Sequence, residues 1–102
     1  MLIALICLMF ALCACSDKPD NLNQTVYDVG LQAVETIEMY QNDKMTADEA
    51  VERLEEFKDE IEDIEGTFND SVKTDIFIAA QKIDQGESAV DELNSLKETL
   101  NK

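Results

Sequence analysis

The side chains best able to do chemistry are of two kinds, cysteine thiols and carboxylates. The three cysteines lie at positions 7, 13 and 15, and the chain has no histidine. Thiol nucleophiles and thiolate ligands are therefore confined to the head of the chain. The remaining reactive groups are carboxylates: 23 Asp and Glu against 8 Lys and Arg give a formal net charge of −15. No spacing selects a catalytic carboxylate pair or a nucleophilic serine, so we expect no enzyme activity, no cofactor and no metal centre.

The head of the chain is an uninterrupted apolar run. No charged residue occurs in residues 1–16, and Asp17 follows directly. An apolar stretch of roughly 7–15 residues before small residues is typical of a secretory signal peptide. A membrane-spanning helix needs about 20 apolar residues, which this run does not supply. We therefore predict a secretory signal peptide at the head of the chain.

The end of this run, Leu12-Cys13-Ala14-Cys15, resembles the lipobox of bacterial lipoproteins. That pattern has an aliphatic residue, a tolerant position, a small residue and an obligatory cysteine. The resemblance implies that Cys15 receives a lipid anchor of the palmitate-bearing type. It also implies that a signal peptidase recognises Leu12 and Ala14 and cuts after Ala14, so that residues 1–14 are the signal peptide. Residues 15–19 would then be the lipidated cysteine and a short tether. The implied location is the extracytoplasmic face of the cell membrane, or the outer membrane where the cell has two.

Residues 20–102 have the composition and the periodicity of helices. Proline occurs once in the whole chain, and good helix formers such as Ala, Leu, Glu and Lys are frequent. Apolar residues recur at spacings of three and four over about 20–42, 46–65 and 69–100, and the last stripe includes Val90. We predict an all-α domain, an antiparallel three-helix bundle. A long helical hairpin that dimerises is the alternative.

The clearest helix boundary lies at the start of the second predicted helix. Thr46 and Glu49 have the spacing of a capping box, with Thr46 as N-cap. Met45 and Ala50 are placed to pack together as its hydrophobic staple. Gly66 is expected to end this helix as a C′ glycine.

The other helix ends are marked less distinctly. Asp20 is the expected N-cap of the first helix, and Asn69 or Asp70 that of the third, with Thr67 as a rival. Gly86 falls on the apolar stripe of the third helix, where it either permits a close backbone approach or marks a bend. An interior glycine costs about 1 kcal/mol relative to alanine, which makes this the weakest point of that helix.

Carboxylates crowd the face of the second helix opposite its apolar stripe. They are Glu55, Glu56, Asp59, Glu60, Glu62 and Asp63. Like charges one turn apart repel by a few tenths of a kcal/mol per pair, so a helix that keeps them either retains charge for a partner or presents a solvated face. A partner would carry a basic surface. Nucleic acid is disfavoured, because its phosphates would be repelled.

Phe77 lies off the apolar stripe of the third helix, roughly 140° from Val72 at about 100° per residue. An aromatic ring in this position is either a contact for a partner or second copy, or a sign that the third helix is buried between its neighbours.

These patterns predict a small membrane-anchored lipoprotein with an acidic, helical, non-catalytic domain that binds a protein partner. In size, charge and anchor, the chain also resembles prophage and mobile-element exclusion lipoproteins, which capture a basic injection protein. A ligand- or metal-binding lipoprotein is a further alternative, and it predicts a pocket with convergent polar groups.

Overall fold

The computed structural model describes residues 18–101, which fold as four α-helices with no strand among them. The helices are α1 (Gln24–Gln41), α2 (Ala47–Ile61), α3 (Thr67–Asp84) and α4 (Val90–Leu100). The all-α class is confirmed. The count of three helices is wrong, because the segment predicted as one helix over 69–100 is divided into α3 and α4. The two-helix hairpin also differs from the observed count.

Helix α1 begins three residues later than predicted, with Asn23 rather than Asp20 as its N-cap. The Asn23 side chain accepts from the backbone N–H of Thr25 at 2.8 Å and of Val26 at 3.4 Å. Asp20 lies in the preceding turn, where the N–H of Leu22 donates to the carbonyl of Pro19 at 3.2 Å. That turn buries Leu22 against the core and delays the first helical residue.

The predicted start of α2 is confirmed. The Thr46 hydroxyl accepts from the backbone N–H of Glu49 at 3.2 Å, as an N-cap should. Met45 and Ala50 are both buried at this end of the helix, in the positions of a hydrophobic staple. The helix ends at Ile61, earlier than the predicted residue 65.

The link from α2 to α3 differs from the prediction at each of its expected caps. Gly66, at φ +135°, precedes α3 instead of ending α2, and α3 has no side-chain cap hydrogen bond. Thr67 is the first helical residue of α3, so Thr67, Asn69 and Asp70 are all inside the helix. Asn69 is buried and joins two distant segments: its Nδ2 donates to the carbonyl of Glu65 at 3.0 Å, and its Oδ1 accepts from the N–H of Asn23, also at 3.0 Å.

The chain leaves its helical path between Gln85 and Ala89. Gly86 adopts φ +76°, a left-handed conformation that glycine tolerates without a Cβ clash. Gln41, at the end of α1, fixes the next segment, because its Oε1 accepts from the N–H of Ala89 at 3.1 Å. Of the two roles considered for Gly86, the bend is confirmed. The new register turns Ala89 inward and leaves Val90, which was predicted in the core, 42% exposed.

The four helices share one apolar core. Each consecutive pair is joined by five residues. Helix α1 also packs against both α3 and α4, whereas the backbones of α2 and α4 do not approach closely. The contact between α1 and α4 is close at Gly30, where an added Cβ would come within 2.9 Å of the Leu100 side chain. The buried side chains include Val26, Tyr27, Ala33, Ile37, Leu54, Ile61, Val72, Ile76, Ile83, Leu96 and Leu100.

None of the four described helices combines the length and the apolar character that crossing a membrane requires.

Candidate functional site

The predicted acidic surface exists as an exposed face of α2 and of the link that follows it. All six carboxylates named from the sequence are exposed: Glu55, Glu56, Asp59, Glu60, Glu62 and Asp63. The first four lie on α2. Glu62 and Asp63 lie beyond its last residue, because the helix ends at Ile61.

This surface carries little compensating positive charge. Among residues 18–101, Glu62 is the one member of the six with a cation within 4 Å, and its Oε1 lies 3.5 Å from the Nζ of Lys58. Glu55 and Asp59, and likewise Glu56 and Glu60, are one turn apart on α2. Such like-charged pairs destabilise a helix by a few tenths of a kcal/mol each, so the fold keeps this charge at a small cost in stability.

A shallow groove of about 190 Å³ lies between α2 and α3, beside the acidic surface. Its lining residues are Val51, Glu55, Phe77, Ala80, Gln81 and Asp84. The groove brings together two of the residues predicted to bind a partner, Glu55 from α2 and Phe77 from α3. The other five predicted carboxylates are exposed but do not line it: Glu56, Asp59, Glu60, Glu62 and Asp63.

Phe77 is the one aromatic residue that lines this groove, and we call the groove and its six lining residues the Phe77 groove. The ring is 46% exposed, so the expectation that α3 is buried between its neighbours is wrong at this position. The backbone explains the exposure: Ile76 and Ala79 of the same helix turn into the core, and Phe77 lies well round the helix from them. The ring shares the lining of the groove with the carboxylates of Glu55 and Asp84.

A lysine lies over the ring of Phe77. The Nζ of Lys58, on α2, is 5.6 Å from the ring centroid, within the range of about 6 Å for a cation–π contact. Lys58 therefore contacts the ring of Phe77 on α3 and also the carboxylate of Glu62, which directly follows α2.

Sequence reasoning missed the residues that complete the groove. Val51 lies one turn before Glu55 on α2, and Asp84 is the last residue of α3. The four-residue spacing of Val51 and Glu55 places both on one face of α2, which the sequence alone could have shown. That this face meets the end of α3 could not be predicted, because it depends on how the two helices pack.

Two further grooves are more polar. One, of about 430 Å³, lies where the α1–α2 and α3–α4 links meet, and is lined by Tyr40, Gln41, Asp43, Met45, Thr46, Ala47, Gly86, Glu87 and Ser88. The other, of about 290 Å³, lies between α3 and α4, and its lining is rich in hydroxyl groups: Thr67, Asp70, Ser71, Thr74, Asp75, Ser95 and Thr99. In the part of the chain that the structure describes, no three His, Cys, Asp or Glu side chains are grouped to hold a metal ion.

The α3–α4 contact contains two groups, Asp75 and Lys82, whose pKa values are raised above their ordinary values. Partial burial raises the pKa of Asp75, the hydrogen bond from the Ser95 hydroxyl at 2.7 Å lowers it, and the nearby charge of Glu92 raises it; the net direction is upward. Glu92 also pairs with Lys82 at 3.0 Å, and this contact raises the pKa of Lys82. These groups join two helices that the sequence predicted as one.

The predicted lipidation site, Cys15, and the recognition residues Leu12 and Ala14 lie outside the described residues. The tether is described only at Lys18 and Pro19. The Lys18 ammonium donates to the carbonyl of Leu22 at 2.9 Å, which ties this part of the tether to the turn before α1.

Comparisons with protein-family models, with curated proteins and with solved structures gave no match for this chain.

Proposed function

We propose that this chain is a small bacterial lipoprotein whose acidic helical domain binds another protein through the Phe77 groove. The partner presents a basic surface, and the domain itself carries out no reaction. The observation that supports this function most directly is the exposed Phe77 ring in a groove whose charged lining residues, Glu55 and Asp84, are both acidic.

An exposed aromatic ring beside carboxylates is a favourable place for a basic side chain. Burying the ring against a partner removes apolar surface from water, at about 25 cal/mol per Å². Aromatic residues near the centre of a contact are also the ones that most often dominate its binding energy. Glu55 and Asp84 would then pair with lysine or arginine side chains of the partner.

The wider charge distribution favours the same kind of partner. With a formal net charge of −15, the chain attracts basic proteins over a distance and accelerates their association. A basic partner would also reduce the repulsion between Glu55 and Asp59. Nucleic acid is a poor candidate, since its phosphates carry the same sign of charge.

The membrane anchor of this proposal rests on Leu12-Cys13-Ala14-Cys15. Lipidation of Cys15 would hold the domain at the extracytoplasmic face of the membrane, where each buried CH₂ contributes about 0.8 kcal/mol. Mass spectrometry of the N-terminus tests this part. A diacylated Cys15, together with an unprocessed precursor for Cys15→Ala, is expected, whereas an unlipidated N-terminus would refute the anchor.

Photocrosslinking tests the binding site, and the chain offers a matched control. Phe68 and Phe77 lie on the same helix and are 45% and 46% exposed, but only Phe77 lines the groove. A benzoylphenylalanine at position 77 of the full chain, in the cells that produce it, should crosslink to a protein with a basic surface. The crosslink should weaken when Glu55→Lys is added, and it should be absent from position 68. Equal crosslinking at the two positions, or no effect of Glu55→Lys, would contradict the proposed site.

A further inference from the structure

The cation over Phe77 comes from the chain itself, and it is held weakly. Lys58 lies 5.6 Å from the ring centroid, close to the outer limit of about 6 Å for a cation–π contact. Its pairing with Glu62, at 3.5 Å, is longer than a strong charge-assisted hydrogen bond. Both contacts are partly open to water, since the Glu62 side chain is 60% exposed and Phe77 is 46% exposed. Little free energy is therefore needed to move the Lys58 ammonium away.

The ring that Lys58 lies over is also part of the groove lining. Val51 and Ala80 line the groove with it, and the charged members of the lining, Glu55 and Asp84, are both negative. A cation placed on the Phe77 ring would thus have carboxylates within the same groove. Arginine suits this arrangement, because a guanidinium stacks on an aromatic face while its N–H groups fork onto carboxylates.

We propose that Lys58 occupies the position on Phe77 that an arginine or lysine of the partner takes, and that binding displaces Lys58 from the ring. This inference rests on the proposed function and deepens it, since it names the group that is recognised: a cationic side chain of a basic protein segment. Lys58 is then an internal competitor that lowers the affinity for the partner.

Arg53 provides the matched control for Lys58. Both residues lie on α2, and each pairs with a glutamate one turn away: Arg53 with Glu49 at 3.6 Å, and Lys58 with Glu62 at 3.5 Å. Replacing either by glutamine removes one positive charge from the same helix. Among the described residues, Lys58 is the one cation that lies over an aromatic ring, and Arg53 does not.

The test is calorimetric titration of the full chain, in a neutral detergent, with an octa-arginine peptide. Both Lys58→Gln and Arg53→Gln should tighten binding through the loss of a positive charge. Lys58→Gln should tighten it by about two- to five-fold more, the range expected for one exposed cation–π contact. Phe77→Leu, which keeps an apolar side chain but removes the aromatic face, should abolish this difference. In NMR spectra, the ring-shifted ε-protons of Lys58 should move to unshifted positions as the peptide binds.

The outcomes separate this inference from the proposed function. If the peptide binds, but Lys58→Gln and Arg53→Gln have equal effects and the Lys58 resonances do not move, the displacement of Lys58 is refuted and the acidic binding surface stands. If the peptide does not bind the unmodified chain, both proposals fail. A self-associated dimer that Phe77→Leu dissociates would identify a second copy as the occupant of the groove and would also overturn this inference.

Discussion

The carboxylate of Glu55 on α2 and the aromatic ring of Phe77 on α3 line one groove, although they belong to different helices. Neither feature is unusual alone: charged helix faces and single exposed aromatic rings are common on soluble domains. Their juxtaposition is informative because a contact surface needs both an apolar area to bury and charges that select the partner.

Charge reversal at Glu55 should weaken binding of a basic partner. Glu55→Lys places a positive charge in the Phe77 groove, and we expect about a ten-fold loss of affinity for a basic peptide, equivalent to roughly 1.4 kcal/mol. Glu35→Lys is the control, since Glu35 is exposed on α1 and outside the groove. Calorimetric titration of both variants at one salt concentration gives the comparison. Equal losses would mean that only net charge matters.

Gly86 should not behave as a glycine inside a helix. In the structure its φ is +76°, and nothing lies within 4 Å of an added Cβ, so the effect of a side chain there is backbone strain alone. Gly86→Ala should destabilise the fold by about 1–2 kcal/mol in urea unfolding. Gly86→Asn should cost less, because asparagine tolerates the left-handed region. If α3 and α4 were one continuous helix, Gly86→Ala would instead stabilise the protein by about 1 kcal/mol.

Tyr27→Phe should stabilise the protein. The Tyr27 ring is fully buried, and its hydroxyl has no hydrogen-bond partner among residues 18–101. A buried polar group without a partner costs about 1–3 kcal/mol, and the phenylalanine ring fills the same space without that group. We expect a gain of about 1 kcal/mol in the free energy of unfolding, with Tyr40→Phe, at a partly exposed site, as the control. A loss of stability in Tyr27→Phe would show that the Tyr27 hydroxyl makes a stabilising hydrogen bond.

Asp75→Asn should stabilise the α3–α4 contact at neutral pH. Burial and the charge of Glu92 raise the pKa of Asp75 above its ordinary value of 3.8, so the folded state binds this proton more tightly than the unfolded state. The ionised form therefore lowers stability above the raised pKa, and this penalty disappears as the pH falls through that pKa towards 3.8.

The matching experiment measures unfolding of the wild type and of Asp75→Asn across this pH range. Asparagine can still accept the hydrogen bond from Ser95. The variant should be the more stable at pH 7, with a difference that narrows on acidification. A difference that is constant with pH, or that has the opposite sign, would contradict the assignment of this carboxyl.

The features that could be predicted from the sequence depend on residues close together in the chain. The Thr46 cap needs only the N–H of Glu49, and it is present as predicted. The buried positions of each helix follow from spacings of three and four, which place Leu54 and Ile61 in the core. The off-stripe position of Phe77 follows from the same arithmetic.

The features that could not be predicted depend on contacts between distant segments. The segment that separates α3 from α4 is tied to the end of α1, because the side chain of Gln41 accepts from the backbone N–H of Ala89. The start of α1 is likewise tied to Asn69, which accepts from the N–H of Asn23. No local pattern reveals either partner. For the same reason, the meeting of Glu55 with Asp84 in one groove required the packing of α2 on α3.

The most direct test of the central claim compares two aromatic truncations on α3. Phe77→Ala and Phe68→Ala each remove a ring that is almost half exposed. Neither substitution changes the net charge, and their effects on fold stability should be similar. The dissociation constants of both variants for the basic partner captured at position 77, measured with the full chain, decide the question. We predict at least a ten-fold loss of affinity for Phe77→Ala, and little change for Phe68→Ala. Equal affinities of the two variants would contradict docking at the Phe77 groove.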